Sequence, residues 1–320
     1  MQSLILSIII PCYNSARFIG QTIEMLLQQD MSDCELILVN DGSIDNTLSI
    51  LQEYESNPNI VILSQANQGV SVTRNVGLSV ARGRYVYFLD SDDTLTEGTL
   101  KYFKQALAMH PNCQLFTFGY ETRRNGIVGK RYVFPRFDNK EIPGRILTQS
   151  FLSKKICVNI CSCIYERQFL MDNQFYFKEG IAIGEDILFL LQTMFQIDKA
   201  YYSQRVSFVY QIRDDSAMQG YKSYSLRQYN SHTLLRNFLL PIAVQNKEMS
   251  CSIHFFLLFS YLSNLRYYLK ADLRSKELNK RFIEDGKIRY RRNFSGNVPY
   301  WLVMKMTMFI PIRLILGILK

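Results

Sequence analysis

Residues 85–93 read Tyr85-Val-Tyr-Phe-Leu-Asp-Ser-Asp-Asp93: five apolar residues running straight into three acids. A short continuous apolar run bounded by polar residues is the pattern of a strand buried on both faces. The break at Asp90 puts the acids at the carboxyl end of that strand. The same form recurs on the amino-terminal side. Residues 4–10 run into Pro11-Cys-Tyr-Asn14, and residues 36–39 run into Asn40-Asp-Gly-Ser43. Residues 60–63 and 114–118 supply two further short apolar runs. Helix-period stretches separate them, near 15–28, from Asp45, near 70–82 and near 97–109. This alternation predicts an α/β fold: a Rossmann-like, mostly parallel sheet with helices on both faces. Ligands of such sheets bind outside the carboxyl ends of the strands, where the polar and turn residues of this chain collect.

Composition bounds the rest. The chain has 320 residues, 48% apolar and 20% charged, which suits a globular protein. Its net charge of +9 is uneven: residues 261–320 carry 13 Lys/Arg against 4 Asp/Glu, leaving 24 of each sign in residues 1–260. A polybasic end implies a polyanionic partner, nucleic acid or an anionic lipid surface. The seven cysteines are odd in number and without framework spacing, which reads as reduced thiols and a cytoplasmic compartment. The start lacks the basic n-region and small-residue cleavage site of a signal peptide and reads as a first strand.

No window reaches the ~18 uninterrupted apolar residues of a spanning helix. Residues 301–319 come nearest but contain Lys305 and Arg313, which fall with Lys320 within roughly 80° on an ideal helix. Such a segment lies in a membrane interface rather than crossing it, and Pro311 splits it into short turns. Residues 120–145, rich in Arg, Gly, Asn and aromatics, read as a hairpin or mobile loop. Residues 150–218 mix strand and helix, and residues 224–290 read as helical with aromatic stripes that include Phe255, Phe256, Phe259, Leu262 and Tyr267. The expected division is 1–220 for nucleotide binding and catalysis and 221–320 for a helical region ending in a membrane-surface segment near 298–320.

Neither G-x-G-x-x-G nor a Walker A motif follows the first strand, so a glycine-rich helix N-terminus is not what neutralises phosphate here. Asp90 and Asp92 at the end of a buried strand can instead hold a hard divalent cation that also binds a diphosphate. An isolated Asp-x-Asp is as often a solvated turn capping a helix. Cys157, Cys161 and Cys163 lack a fourth ligand at zinc-finger spacing and read as core residues.

Order strengthens the acidic reading. Ser7-Ile-Ile-Ile-Pro-Cys-Tyr-Asn14, Asp41-Gly-Ser-Ile-Asp45, Gln68-Gly-Val-Ser-Val-Thr-Arg-Asn-Val-Gly77 and Phe88-Leu-Asp-Ser-Asp-Asp93, taken together, resemble glycosyltransferase family 2, the inverting enzymes of the GT-A fold, of the bacterial surface-polysaccharide type. The resemblance resumes at Gly184-Glu-Asp-Ile-Leu-Phe189 and at Tyr210-Gln-Ile-Arg-Asp-Asp-Ser216, and spans about the first 220 residues. It implies a nucleoside diphosphate sugar donor, a Mn²⁺ or Mg²⁺ ion, and a glycan or lipid-linked acceptor. By the same resemblance Pro11, Tyr13 and Asn14 line the nucleotide pocket, Asp41 bonds the base, and Arg74 approaches the nucleotide or orders the carboxylates. Asp90 faces the ribose, and Asp92, with Asp90, holds the metal.

Inverting transfer needs a carboxylate opposite the departing diphosphate to take the acceptor proton. Asp186 is the choice for that base, with Glu185 the alternative. Acids at a helix N-terminus are also favoured by its dipole, and that structural reading stands beside the catalytic one. Tyr210, Arg213 and Ser216 are assigned to the acceptor or diphosphate side. Asn40 stands where many members have a second Asp, and Cys161-Ser-Cys-Ile-Tyr165 lacks an expected basic residue before the Tyr.

Three other functions fit these residues less well. A nucleotidyltransferase would carry a glycine-rich phosphate loop where Pro11-Cys-Tyr-Asn14 stands. A nucleic-acid binder would show zinc-finger, helix-turn-helix or aromatic-platform patterns, so no nucleic-acid partner is expected. A non-catalytic nucleotide-binding membrane scaffold would not need the full set of acids. The expected location is the cytoplasmic face of the cell membrane, peripherally bound.

Overall fold

The computed structural model describes residues 4–181, 183–213, 224–271 and 275–285. The chain divides into two compact units. The first comprises Met1–Arg145, Val158–Gly180 and Glu185–Ile212; the second comprises Ile146–Cys157, Ile181–Gly184 and Arg213–Lys320. The basic segment expected at 298–320 and Ser216 both lie outside the described residues.

The first unit is built on a ten-stranded mixed sheet. Its strands are β1 (Leu6–Cys12), β2 (Cys34–Asp41), β3 (Ile60–Gln65), β4 (Tyr85–Phe88), β5 (Thr94–Leu95), β6 (Leu115–Arg124), β7 (Ile127–Tyr132), β8 (Lys140–Pro143), β9 (Cys163–Glu166) and β10 (Lys199–Gln211). Among the described residues the α-helices are α1 (Ile19–Leu27), α2 (Thr47–Gln52), α3 (Val70–Val80), α4 (Thr99–Met109), α5 (Gly144–Leu152), α6 (Arg167–Asp172), α7 (Glu185–Met194), α8 (Leu226–Gln245), α9 (Lys247–Lys270) and α10 (Lys276–Asp285). The main strand order is β3-β2-β1-β4-β9-β6-β10-β5.

The four strands β3, β2, β1 and β4 are mutually parallel; β2, β1 and β4 are buried apolar runs, as strands of a helix-covered parallel sheet are, whereas β3, at the end of the strand order, is buried only at Ile60. The sheet departs from the expected parallel form at β9, which enters antiparallel between β4 and β6. Parallel pairing resumes between β6 and β10. Residues 120–132 form a hairpin turned at Asn125-Gly126, both at positive φ, the form that matches strand twist in a two-residue turn. The mobile-loop alternative for that stretch does not hold.

One carboxylate is sealed at the amino ends of these strands. Glu35 of β2 is buried and accepts hydrogen bonds from Ser7 Oγ (2.6 Å), the Arg82 backbone N–H (2.6 Å) and Arg82 Nε (2.8 Å). Ser7 Oγ in turn accepts from the Gly83 N–H at 2.8 Å. Burial pushes the Glu35 carboxyl up, but these donors outweigh it and hold the group below its ordinary value.

The second unit is helical. Asn246 separates α8 from α9 and caps the latter by accepting from the Met249 N–H at 3.1 Å. Ser225 and Gln228 form a capping box at the start of α8. Tyr229, Tyr261, Tyr268 and Phe282 cluster where α8, α9 and α10 meet, with Tyr268 stacked on Phe282 at 5.0 Å. Of the aromatic stripes on α9, Phe255 and Phe256 are buried whereas Tyr267 is exposed. Lys154 Nζ lies within 5.4 Å of the Phe151, Phe256 and Phe259 ring centres, and burial pushes its amine down to about 8. Among the described residues no helix is long and apolar enough to cross a membrane. All seven cysteines are free thiols: Cys12, Cys34, Cys113, Cys161 and Cys163 are buried, and Cys157 and Cys251 are half-buried.

Candidate functional site

Parallel register brings the carboxyl ends of β1, β2, β3 and β4 to one edge, because Cys12 pairs with Asn40, Asp41 with Gln65 and Ile9 with Phe88. The loops leaving that edge are braced against one another. Asn14, at φ 48°, donates its backbone N–H to Ser43 Oγ (3.0 Å) and accepts at Oδ1 from the Ile44 N–H (2.9 Å). Asp45 holds Ala16 N and Thr47. Tyr13, half exposed on this fixed loop, presents its ring to solvent. Gly42 lies at φ 67°, and a Cβ there would meet the Asn67 backbone nitrogen at 2.6 Å, so only glycine lets the 40–43 turn pass the 65–69 loop.

Asp41 is buried and fixes that second loop. Its Oδ1 accepts from Gln65 Nε2 (2.8 Å) and the Gln68 N–H (2.9 Å), and its Oδ2 accepts from the Gly69 N–H (2.8 Å). The Asx-type reading of this residue is thus met by bonds across 27 residues rather than within its own turn. Asn40 braces the same region through Ser64 Oγ and the Ser43 N–H.

The turn after β4 is pinned from three sides. Thr22 Oγ1 donates to the Ser91 carbonyl at 2.9 Å, Ser15 Oγ meets Ser91 Oγ at 2.8 Å, and Asp93 Oδ1 accepts the Gln211 N–H at 2.9 Å. Asp90 remains 35% exposed in its side chain. Arg74, buried on α3, joins the separate acidic motifs: Nη2 bonds Asp90 Oδ1 at 2.7 Å and Nη1 bonds Glu185 Oε1 at 3.3 Å. Its guanidinium sits 5.1 Å from the centre of the Phe177 ring, and its Nε has no hydrogen-bond partner. Next to it, Asn75 clasps the Phe177 backbone twice, donating to the carbonyl (2.9 Å) and accepting from the N–H (2.8 Å).

Asp186 stands in the first turn of α7, after Gly184 at φ 85°. Burial first, and then the charge of Glu185, push its carboxyl up to about 6 against the pull of Arg74. Tyr210 joins the acidic group from β10: burial, then the charges of Asp93, Asp92 and Asp90, push its hydroxyl up to about 12. Arg213 belongs to the second unit.

The oxygen-rich edge suits a hard cation. Among the described residues the ligand atoms lying within 4.8 Å of one another belong to Asp90, Asp93 and Cys161. Burial raises the Cys161 thiol well above its ordinary range, so it stays protonated and the carboxylates are the donors that fit Mg²⁺ or Mn²⁺. Asp92, the sequence choice, is not in that group. Two residues escaped the sequence reading. Asp93 was one acid too many for an Asp-x-Asp pattern. Phe177, which carries Arg74, has no local signal beyond an aromatic stretch at 175–177.

Strands ending on braced loops, with carboxylates and one buried arginine at the carboxyl edge of the sheet, define an α/β protein with a candidate ligand-binding edge. The chain belongs to glycosyl transferase family 2, whose model matches residues 7–175. GgaB of Bacillus subtilis, described as a minor teichoic acid biosynthesis protein, is 30% identical over 275 residues, which is 82% of this chain and 29% of GgaB. The chain therefore spans less than a third of that relative's length. Residues 1–349 of Staphylococcus aureus TarS, solved in complex with UDP-GlcNAc, share the fold with a TM-score of 0.70 at 23% identity, over 88% of this chain and 79% of that one. A mannosyltransferase of Pyrobaculum calidifontis, solved with GDP-Man and Mn²⁺, shares it with a TM-score of 0.55 at 16% identity, over 95% of this chain and 84% of that one.

Proposed function

We propose that the chain transfers one sugar, with inversion, from a nucleoside diphosphate sugar to a hydroxyl of a glycan or lipid-linked oligosaccharide in surface-polysaccharide assembly, using residues 1–220. A uridine donor is favoured by the fold shared with a protein solved with UDP-GlcNAc. The observation that carries the reading is Asp186: a carboxyl pushed up to about 6, next to Glu185, which Arg74 ties to Asp90 at the ligand-binding edge. A base whose pKa lies just below working pH is ionised yet strong enough to draw a proton.

In the step proposed, the acceptor hydroxyl attacks the anomeric carbon as its proton passes to Asp186 Oδ. The carbon–oxygen bond to the diphosphate breaks on the opposite face, and its electron pair leaves with the diphosphate. Asp92 and Asp90, with Asp93 beside them, would hold Mg²⁺ or Mn²⁺. Such an ion supplies Lewis-acid stabilisation of the leaving diphosphate. Arg74 keeps Asp90 and Glu185 apart in charge and stops Asp186 rising further. Tyr13 stacks on the base, Pro11 and Asn14 shape its pocket, and Asp41 meets its edge with the Oδ2 lone pair that Gly69 leaves over. Tyr210, with Arg213 and Ser216, serves the acceptor or diphosphate side.

Purified protein with Mn²⁺ or Mg²⁺, an acceptor extract and a panel of sugar nucleotides should release one nucleoside diphosphate, and Asp186→Asn should abolish the release. Equal release by the mutant sinks the assignment of the base. The basic 298–320 segment would hold the chain on the inner leaflet, and flotation unchanged by neutralising Lys305, Arg313 and Lys320 would refute that part.

A further inference from the structure

The hairpin of β6 and β7 is the most one-sidedly charged part of the first unit. Residues 122–137 contain Arg123, Arg124, Lys130, Arg131 and Arg136 and no acid. Glu121, just outside, pairs with both Arg123 (2.8 Å) and Arg131 (2.9 Å). At the far end stand two aliphatic residues that the fold does not cover: Ile127 is 74% exposed and Val128 43%.

Their placement is specific. The Asn125-Gly126 turn forms the tip, Ile127 pairs with Arg124 and Val128 with Arg123. Adjacent strand residues point to opposite faces, so each face just behind the tip carries one aliphatic residue beside one arginine, Ile127 with Arg124 and Val128 with Arg123. Lys130 lies three residues further along, about 10 Å from Ile127 at the usual strand rise. The base of the hairpin is clamped by Tyr120 stacked on Tyr132 at 4.5 Å, and by Thr122 Oγ1, which accepts the Lys130 N–H at 2.9 Å. Gly129 makes that crossing possible, since a Cβ there would meet Thr122 Oγ1 at 2.7 Å.

We propose that this hairpin is a membrane-contact wedge for an anionic bilayer: Ile127 and Val128 enter the boundary between headgroups and acyl chains, and the arginines and Lys130 rest among the lipid phosphates. Cations alone would fit any polyanion, including a soluble phosphate polymer. The aliphatic tip is what selects lipid, because a phosphate chain offers nothing for Ile127 and Val128 to bury against. Interfacial segments sink about 5–10 Å, the depth that covers Ile127 and Val128 and leaves Lys130 at the headgroups. The proposal rests on residues 120–137 alone, so it is independent of the donor chemistry and of the 286–320 segment.

The test is co-sedimentation of the full chain with phosphatidylcholine vesicles, with and without phosphatidylglycerol. Ile127→Ser with Val128→Ser changes no charge and should lower partition onto the anionic vesicles by about tenfold, leaving binding to soluble polyphosphate and the thermal midpoint unaltered. Lys130→Glu should lower partition about tenfold or more on anionic vesicles and hardly at all on neutral ones. A fluorophore on Ile127→Cys, with the parent carried through the same labelling as blank, should shift to the blue on binding and be quenched by lipid-borne spin labels. Parent-like partition of the double serine variant, or no spectral shift at position 127, overturns the proposal. Parent-like partition together with polyphosphate binding lost in Lys130→Glu would reassign the hairpin to a phosphate polymer.

Discussion

The strands β1, β2 and β4 carry an arginine–carboxylate network at each end, and the two are built differently. At the amino ends, Glu35 is closed: Ser7, the Arg82 backbone and the Arg82 side chain occupy its oxygens, and its proton affinity falls. At the carboxyl ends, Arg74 is shared between Asp90 and Glu185, its Nε has no partner, Asp90 is partly exposed, and Asp186 is pushed up to about 6. One end satisfies its charges for stability. The other leaves Asp90 partly exposed and Asp186 raised, and perturbed groups of this kind gather at functional sites.

The largest effect expected at the open end is from Asp186→Asn, which should lower transfer by about 10²- to 10⁴-fold with little change in nucleotide affinity by calorimetry. Its stability effect has the opposite sign to its activity effect. A carboxyl raised in the folded state binds protons more tightly than in the unfolded chain, so parent stability falls as pH rises from about 4 to 6. Asp186→Asn should remove that fall in thermal melts, and a mutant that melts lower at pH 7 would contradict the reading. The closed end should respond the other way. Glu35→Ala strands buried donors and should cost about 3 kcal/mol in denaturant unfolding, with unchanged nucleotide affinity in the folded fraction. The Glu35 contribution is present above its unfolded pKa and lost as pH falls below it.

A smaller change sharpens the comparison. Arg74 pulls the Asp186 pKa down, so Arg74→Met should move the acid limb of the pH–rate profile up from 6 by about one unit; a downward shift would remove Arg74 from this role. Smallest is Tyr13→Ala, which should weaken nucleotide binding about five- to tenfold by removal of a stacking ring, without moving the pH profile.

How far the sequence foretold this follows the range of the forces. β1, β2 and β4 were legible because each is a buried apolar run, and burial on both faces writes itself into consecutive residues; β3 was legible from its Ile-Val-Ile-Leu run although only Ile60 is buried. β9 was not: Cys163–Glu166 is four residues long, and its antiparallel entry depends on partners some 50 to 80 residues away. Arg74 was named as a residue that approaches the nucleotide or orders the carboxylates, and the structure places it between two of them. What spacing did not foretell was that Asp93 rather than Asp92 joins Asp90 and Cys161, since which of two adjacent acids turns inward is decided by the Gln211 N–H on a distant strand. Glu35 left a trace that was passed over, a lone acid inside the otherwise apolar stretch Cys34–Val39.

The distribution of thiols has a practical consequence. Burial lifts Cys34 and Cys113 to about 11 and Cys163 to about 12, and Cys12 and Cys161 higher, so five sulfurs of the first unit are inert to alkylating reagents in the native state. The two half-buried thiols, Cys157 and Cys251, both belong to the second unit. A maleimide or iodoacetamide probe added to the native protein therefore tags the second unit alone, and the appearance of label on the first is a direct readout of its unfolding.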